Sequence, residues 1–315
     1  MPASDLKSKD VFAFNTINTI SADTDDKSVL DAAADLCARY ELLFSRTRPD
    51  SELARVNTAA GAPVKVDREL SAFIATALDY CAAVDGLYDI TMGSVTRLWD
   101  FHEGIIPCAE AIDAGRAHVD YRKVHVDGDT VTLEDPAATI DLGGIAKGYI
   151  ADRLIDLMRT RGVESGMVNL GGNVAVLGCK PDGSPWTIGL RMPAPTQDAA
   201  LVTSFATVKV CDASVVTSGI YERAFARDDM LYHHILDPRT GYPAKTDLLG
   251  ATVVSDESLD GDGFTTALII MGLDRALAFV ESNPRIEAVF VNLAGEVYAS
   301  SAIGDSIPFE MRIGS

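Results

Sequence analysis

The chain has 315 residues, 47% hydrophobic and 23% charged, enough apolar material for one large folded unit or two ordinary ones. Its 27 basic against 46 acidic side chains give a formal charge of −19, which repels nucleic acid and anionic lipid and excludes both as general partners. An anionic small ligand meets the same long-range repulsion, so a phosphate site needs a local cation or a helix end. No window approaches the ~20 apolar residues of a membrane span, and Met1 to Asp10 carries neither an apolar signal core nor a lipid-attachment cysteine. The expectation is a soluble cytoplasmic protein with no membrane insertion. Cys37, Cys81, Cys108, Cys179 and Cys211 lack CxxC spacing and are expected to be buried thiols in a reducing compartment.

In chain order, Phe12 to Ile20 alternates like a first strand, and Thr24 to Phe44 has helical spacing, with Leu30, Ala34, Cys37 and Leu42–Leu43 on one side. Asp67 to Asp85 is a second amphipathic helix, stopped by Gly86. Tyr121 to Leu133 reads as a hairpin turning at Asp127-Gly128. From Ala138 a short strand, Thr139 to Leu142, meets Gly143-Gly144, and a helix follows with Ile150, Leu154 and Leu157–Met158 buried, ending at Gly162. A second strand–glycine unit runs from Gly166 to Gly172. Further strands are expected at Trp186–Met192, Leu201–Val210, Gly250–Ser255, Glu287–Asn292 and Glu296–Ser300, with a helix starting near Asp262. Strands outnumber helices without alternating regularly with them, so the class is α+β. The longest linker-like stretch, Met192 to Ala200, is short, so residues 1–315 are expected to form one domain.

Three segments can carry chemistry. At Asp141–Lys147, two glycines at a strand-to-helix junction let backbone approach a ligand, and free amides plus Lys147 suit an anion. The plainer alternative is a tight turn with a solvated lysine. The segment is neither a Walker A loop nor GxGxxG. In Ser255–Thr266, a helix opened by Asp262 would put Thr265 and Thr266 on the same face, an all-oxygen set suited to Mg²⁺ on a pyrophosphate. An N-cap aspartate followed by helix-facing threonines is the plainer alternative. The third is Tyr232 to Gly241, where adjacent His233 and His234 precede a turn. One of them could carry a proton near neutral pH, or both could simply be solvated. His102, His118 and His125 show no HxxxH or HExxH spacing, which argues against zinc. No GxSxG elbow is present.

Seven stretches, in order, resemble the ApbE family of FAD:protein FMN transferases. They are Ser51–Asn57, Tyr88–Gly93 with Leu98–Phe101, Asp141–Tyr149, Val168–Asn173, Thr217–Gly219, His234–Gly241 and Asp262–Gly272. The resemblance implies an α+β fold of two related α/β halves around a flavin cleft, with FAD and Mg²⁺ bound. It implies FMN transfer as a phosphoester to a threonine or serine of an acceptor flavoprotein, releasing AMP. By position, Leu87, Tyr88, Asp89, Asp141, Lys147 and Leu236 would line the FAD site. Gly144 (through its carbonyl), Asp262 and Thr266 would hold the metal, with Thr265 adjacent or contributing. Two departures concern the flavin. Thr47 stands where the family usually has a stacking aromatic, and Phe14-Asn15-Thr16 replaces an early Met-Gly-Thr, so Phe14 could supply an apolar contact. His234 is the candidate for proton abstraction or acceptor positioning, with Asp262 the alternative base. The rival functions are an FAD pyrophosphatase yielding FMN and AMP, and a non-enzymatic FAD carrier.

Overall fold

The computed structural model describes residues 6–192, 204–228 and 230–312. Two stretches of chain with the same plan build its central eight-stranded antiparallel sheet. In the first, the hairpin of β1 (Lys7–Ala13) and β2 (Thr16–Ala22) leads into helices α1 (Lys27–Phe44), α2 (Glu52–Asn57), α3 (Arg68–Ala83), α4 (Gly93–Thr96) and α5 (Ala109–Arg116). Among these run the short strands β3 (Val64–Lys65), β4 (Val124–Asp127) and β5 (Thr130–Leu133), which pair in a small separate sheet. Helix α6 (Ala146–Thr160) then returns the chain to the hairpin of β6 (Gly166–Leu170) and β7 (Asn173–Leu177).

After β8 (Trp186–Arg191) and β9 (Ser204–Val210) the plan repeats. Strands β10 (Ala213–Gly219) and β13 (Leu248–Ser255) pair, with the hairpin β11 (Ala224–Arg227) and β12 (Met230–His233) inserted between them. Helices α7 (Ser258–Met271) and α8 (Leu273–Glu281) return the chain to the hairpin of β14 (Ile286–Asn292) and β15 (Val297–Ala299). The sheet order β1-β2-β6-β7-β10-β13-β14-β15 is therefore two ββαββ halves side by side, joined between β7 and β10. These are the two related halves that the resemblance implied, within the expected α+β class.

Both faces of the central strands are covered, and the sequence shows it as period-two sorting. Val253, Ala288 and Phe290 pack under the helices, while Val254, Val289 and Val291 pack on the second sheet of β8, β9 and β16 (Phe309–Met311). Helices α6 and α7 occupy equivalent places in the two halves and cross each other. The crossing is clasped at two points. The amide of Gly148 on α6 donates to Asp262 on α7 at 2.9 Å. In return, Asp152 on α6 accepts the amides of Ser258 and Leu259 at 2.7 and 2.8 Å, satisfying two of the otherwise open donors at the start of α7.

Several expectations change. Phe12 to Ile20 is two strands, because Phe14 and Asn15 turn the chain at φ 56° and 59° without a glycine. Helix α7 begins at Ser258, which puts Asp262 in its second turn rather than at its start. Of the strand expected at 139–142, only a bridge from Thr139 to Met92 forms. The stretch expected as a linker after Met192 lies outside the described residues, as does the start of the strand expected from Leu201. Among the described residues no helix is long and apolar enough to cross a membrane.

The cysteine expectation also fails. Cys179 and Cys211 form a disulfide between the chain after β7 and the chain before β10, Cys108 is exposed, and only Cys37 and Cys81 are buried thiols. A separation of 32 residues carries no spacing signal, and only the adjacency of β7 and β10 brings the two sulfurs together. Such a bond belongs to an oxidising compartment, so the argument for a reducing one is removed. Reduction with a mild thiol is expected to lower stability by roughly 3–4 kcal/mol, the closure entropy of a loop of this length. Thermal melts with and without reductant check this.

Candidate active site

The site lies where the α6–α7 crossing meets the segments running into α6. Asn57, at the end of α2, fixes that approach: its side chain donates to the Ile140 carbonyl at 2.9 Å and accepts the Ile140 amide at 2.8 Å. Ser51 caps α2 by accepting the Ala54 amide at 3.0 Å. Asp141 then accepts from the Gly143 amide at 2.9 Å, the Thr96 hydroxyl at 3.0 Å and the guanidinium Nε of Arg46 at 2.9 Å. With its carboxylate so engaged, Asp141 shapes the glycine junction before any ligand arrives.

Gly144 is where backbone must come close. A Cβ there would stand 3.0 Å from the ring of Tyr88 and 3.7 Å from the Thr266 hydroxyl, so this turn and α7 are in contact at Thr266. Asp262 is buried four residues earlier on α7. Its carboxyl is raised above the usual carboxylate range by burial, an effect opposed by the charge of Lys147 and by the amides of Gly148 and Lys147. Thr265 lies fully buried on the side away from the glycine junction, donating to the Asp262 carbonyl at 3.2 Å and accepting from Ser218 at 3.0 Å. Thr266 is partly open. The Gly144 turn thus meets α7 at Thr266, one helical turn after Asp262, while Thr265 is held by Ser218.

Lys147, in the first turn of α6, is the shared cation. Its charge bears on Asp262, on Glu222 and on His234. Glu222, just after β10, is exposed yet crowded by nearby atoms. That crowding raises its carboxyl, against the pull of Lys147 and Arg223. His234 follows β12, and its amide donates to the Arg223 carbonyl at 3.0 Å. Its Nδ1 is buried without a partner, and burial, with the charges of Arg223 and other neighbours, pushes the imidazole down to about 3. His233 points the other way, its Nε2 3.2 Å from the Ala244 carbonyl, as a buried structural histidine.

This depression of His234 has a definite sign. The unfolded imidazole takes a proton below about 6.5, whereas the folded one stays neutral until about 3. Its contribution to stability is therefore complete above 6.5 and is lost as the pH falls through that window. A His234→Gln variant is expected to lose less stability between pH 6.5 and 4 than the parent, as read by thermal melts across that range.

The remaining candidates divide by what they can offer. Tyr88 is buried with its hydroxyl unpartnered, and burial raises that phenol well above its usual value. Asp89 is committed to the fold: one oxygen accepts from the amide and hydroxyl of Thr91 at 2.8 and 2.6 Å, the other from the Tyr121 amide at 3.0 Å. Leu87 is buried in the main core, and Leu236 packs with Met92, Val95, Trp99 and Ile112 in a small cluster. Phe14 and Thr47 both lie by the C-terminal end of α1. Phe14 is half-buried with its amide donating to Glu41, and Thr47 is exposed beside Arg46. Arg46, Glu222 and Arg223 are the neighbours that sequence reasoning missed, and the clamp of Asn57 on Ile140 was not foreseen either. Nothing in local spacing marks them, since each is brought in by contacts across the fold.

Among the described residues there is no cluster of three or more His, Cys, Asp or Glu able to hold a metal. The groups beside this crossing that could serve a cation are oxygens: the Asp262 carboxylate, the Thr266 hydroxyl and the backbone of the glycine turn. Such a set fits a hard divalent cation that takes its other ligands from phosphate, and it does not fit zinc.

Known proteins share this architecture. The family model described as the ApbE family matches residues 14–290. A FAD:protein FMN transferase of Klebsiella pneumoniae (strain 342) is 38% identical over 281 residues, covering 88% of this chain and 86% of the relative. One from Treponema pallidum (strain Nichols) is 36% identical over 299 residues, covering 89% and 81%. In three dimensions, the ApbE protein of Thermotoga maritima superposes with a TM-score of 0.86 at 29% identity over 95% of this chain and 98% of that one. The apo flavinyl transferase ApbE of Pseudomonas stutzeri gives 0.83 at 29% identity, covering 95% and 96%. With a matching family model over most of its length and relatives above 30% identity along nearly all of it, this chain belongs to the ApbE family.

Proposed function

We propose that this chain is an FAD:protein FMN transferase that uses Mg²⁺ to move FMN from FAD onto a threonine or serine hydroxyl of an acceptor flavoprotein, releasing AMP. Relatives carrying that activity in their names support the transfer itself. What supports the finer reading is the approach of the Gly144 turn to Thr266, one helical turn from Asp262 with Lys147 beside it, within a protein whose net charge would otherwise repel a pyrophosphate.

The Gly144 carbonyl, Asp262 and Thr266 would hold the cation, which supplies charge neutralisation at the pyrophosphate. Lys147 adds a mobile positive charge, whereas the free amides expected at the start of α6 are already committed, those of Lys147 and Gly148 to Asp262 and that of Ala146 to the Leu142 carbonyl. Leu87, Tyr88, Leu236 and Phe14 would form apolar walls for the flavin, while Asp89 and Asp141 hold the loops that carry those walls. In the reaction, the acceptor oxygen bonds to the FMN-side phosphorus as the bond from that phosphorus to the bridging oxygen breaks. AMP leaves with the bridging oxygen, and the hydroxyl proton passes to His234 or to water. Because His234 is neutral but weakly basic, orienting the hydroxyl is its larger contribution. Asp262, engaged by the cation, is too weak a base for that role.

The test uses a flavoprotein domain already shown to be modified by one of the relatives. Incubated with this chain, FAD and Mg²⁺, it should gain one FMN by mass spectrometry, and omission of Mg²⁺ should prevent the gain. Without acceptor, FAD should stay largely intact. Rapid conversion to FMN and AMP would identify a pyrophosphatase, and intact FAD with no adduct a carrier.

A further inference from the structure

The hairpin β11–β12 is a two-stranded ribbon outside the central sheet, and it delivers His234 to the site. Its register pairs Phe225 with Tyr232 and Arg227 with Met230, and the next pair inward is Arg223 with His234, joined by the hydrogen bond already described. Residues opposite each other in an antiparallel pair share a face, and every second pair shares the same one. His234, Arg223, Phe225, Tyr232, Arg227 and Met230 therefore line one face, running from the site to the exposed tip. His233 lies on the other face, against the body of the protein.

That face is half-buried in its middle and exposed at Arg223, Arg227 and Met230. Phe225 and Tyr232 stack at 5.3 Å with rings 12° apart and are half-buried against Trp99, Phe101 and Gly104, so the middle is a rigid aromatic patch of which only part is open. Met230 is 57% exposed at the tip. Arg223 and Arg227 are exposed and form no ion pair among the described residues. Arg227 lies only over the Phe225 ring, at 5.9 Å. In a chain with 46 acidic side chains, two exposed arginines on one ribbon face that form no ion pair among the described residues are available to an anion from outside, although the charge of Arg223 also bears on Glu222.

We infer that this face docks an extended, acidic segment of the acceptor protein, with its hydroxyl residue at His234, a neighbouring carboxylate on Arg223 and a further one on Arg227. The inference rests on the transferase reading and names the chemistry of its protein substrate. Aromatic rings give the segment a flat apolar seat, and the guanidinium groups fix its register by paired hydrogen bonds to carboxylates. Docking through charge also offsets the long-range repulsion between this chain and an acidic partner.

Two synthetic peptides test it, identical around a central threonine except that one carries aspartates and the other lysines on its flanks. With FAD and Mg²⁺, the wild-type chain should label the aspartate peptide with at least a tenfold higher kcat/KM. Arg227→Glu, an exposed change remote from the bound phosphates, should remove most of that preference through KM, while FAD affinity, read by flavin fluorescence, stays within twofold. Phe225→Ala should raise KM for both peptides. Equal use of the two peptides overturns the inference, as does a loss of FAD affinity matching the loss of transfer. If neither peptide is labelled while an intact acceptor domain is, extended-segment docking is wrong and the transferase reading stands. If the intact domain also stays unlabelled, the transferase reading falls, and this inference with it.

Discussion

Asp262→Ala is expected to lower FMN transfer at least a hundredfold, to the level seen without added metal. Asp262 is the only carboxylate among the three groups assigned to the cation, and removing it leaves a hydroxyl and a carbonyl, too little charge to hold Mg²⁺ in a shared site. The magnitude follows from the several kcal/mol that a metal-held charge contributes to phosphoryl transfer, at 1.36 kcal/mol per decade of rate. Alanine also deprives the buried Gly148 amide of its acceptor, which costs about 1–3 kcal/mol of stability. Asp262→Asn separates the two effects, because its side-chain oxygen can still accept from Gly148. An Asn variant that melts like the parent and transfers no FMN assigns the loss to charge. One that transfers at the parental rate, by mass spectrometry of the acceptor, removes Asp262 from the metal site.

Gly148→Ala should be strongly damaging. The added carbon would lie 2.5 Å from the Ser258 carbonyl, 2.7 Å from Cβ of Asp262 and 2.8 Å from Cα of Leu259. None of these is the free end of a side chain, so α6 and α7 must separate. Overpacking of this kind costs roughly 1–3 kcal/mol. Here it also breaks the clasp made by Asp152 and Asp262, so the effect should lie at or above the upper end. Because the same crossing sets Asp262 against Gly148 and Thr266 against the Gly144 turn, activity should fall by more than the unfolded fraction explains. A calorimetric melt paired with the transfer rate at a temperature where the variant is still folded checks both parts.

The legibility of this fold in its sequence followed the range of the signals. The amphipathic helices α1, α3 and α6 and the β4–β5 hairpin carry local marks: apolar spacing, Asp caps such as Asp67 on Glu69, and the Asp127-Gly128 turn. The glycine junction before α6 was legible for the same reason. The β1–β2 turn was not, because Phe14 and Asn15 adopt left-handed backbone that only the surrounding structure imposes. Helix α7 was read as starting too late because Gly261 and Gly263 depress helical propensity. Both are there for packing: a Cβ would meet Val216 at 2.7 Å from the first and Tyr80 at 2.5 Å from the second. Long-range pairings left no trace at all. The Asn57 clamp on Ile140, the Arg46 contact with Asp141, the Cys179–Cys211 bond and the Arg223–His234 pair all depend on which strands become neighbours. At the candidate site, the spacing that puts Asp262 and Thr266 one helical turn apart was legible, while the Ser218 hydrogen bond to Thr265 was not.

The central claim is that one divalent cation joins the α6 glycine turn to α7 and carries both phosphates of FAD there. The most direct measurement is anomalous scattering from a crystal grown with FAD and Mn²⁺. The account predicts a single strong peak bonded to the Gly144 carbonyl, Asp262 and Thr266, with oxygens of both FAD phosphates completing its shell. A fully occupied FAD whose phosphates lie away from those three residues, with the manganese elsewhere, would contradict it.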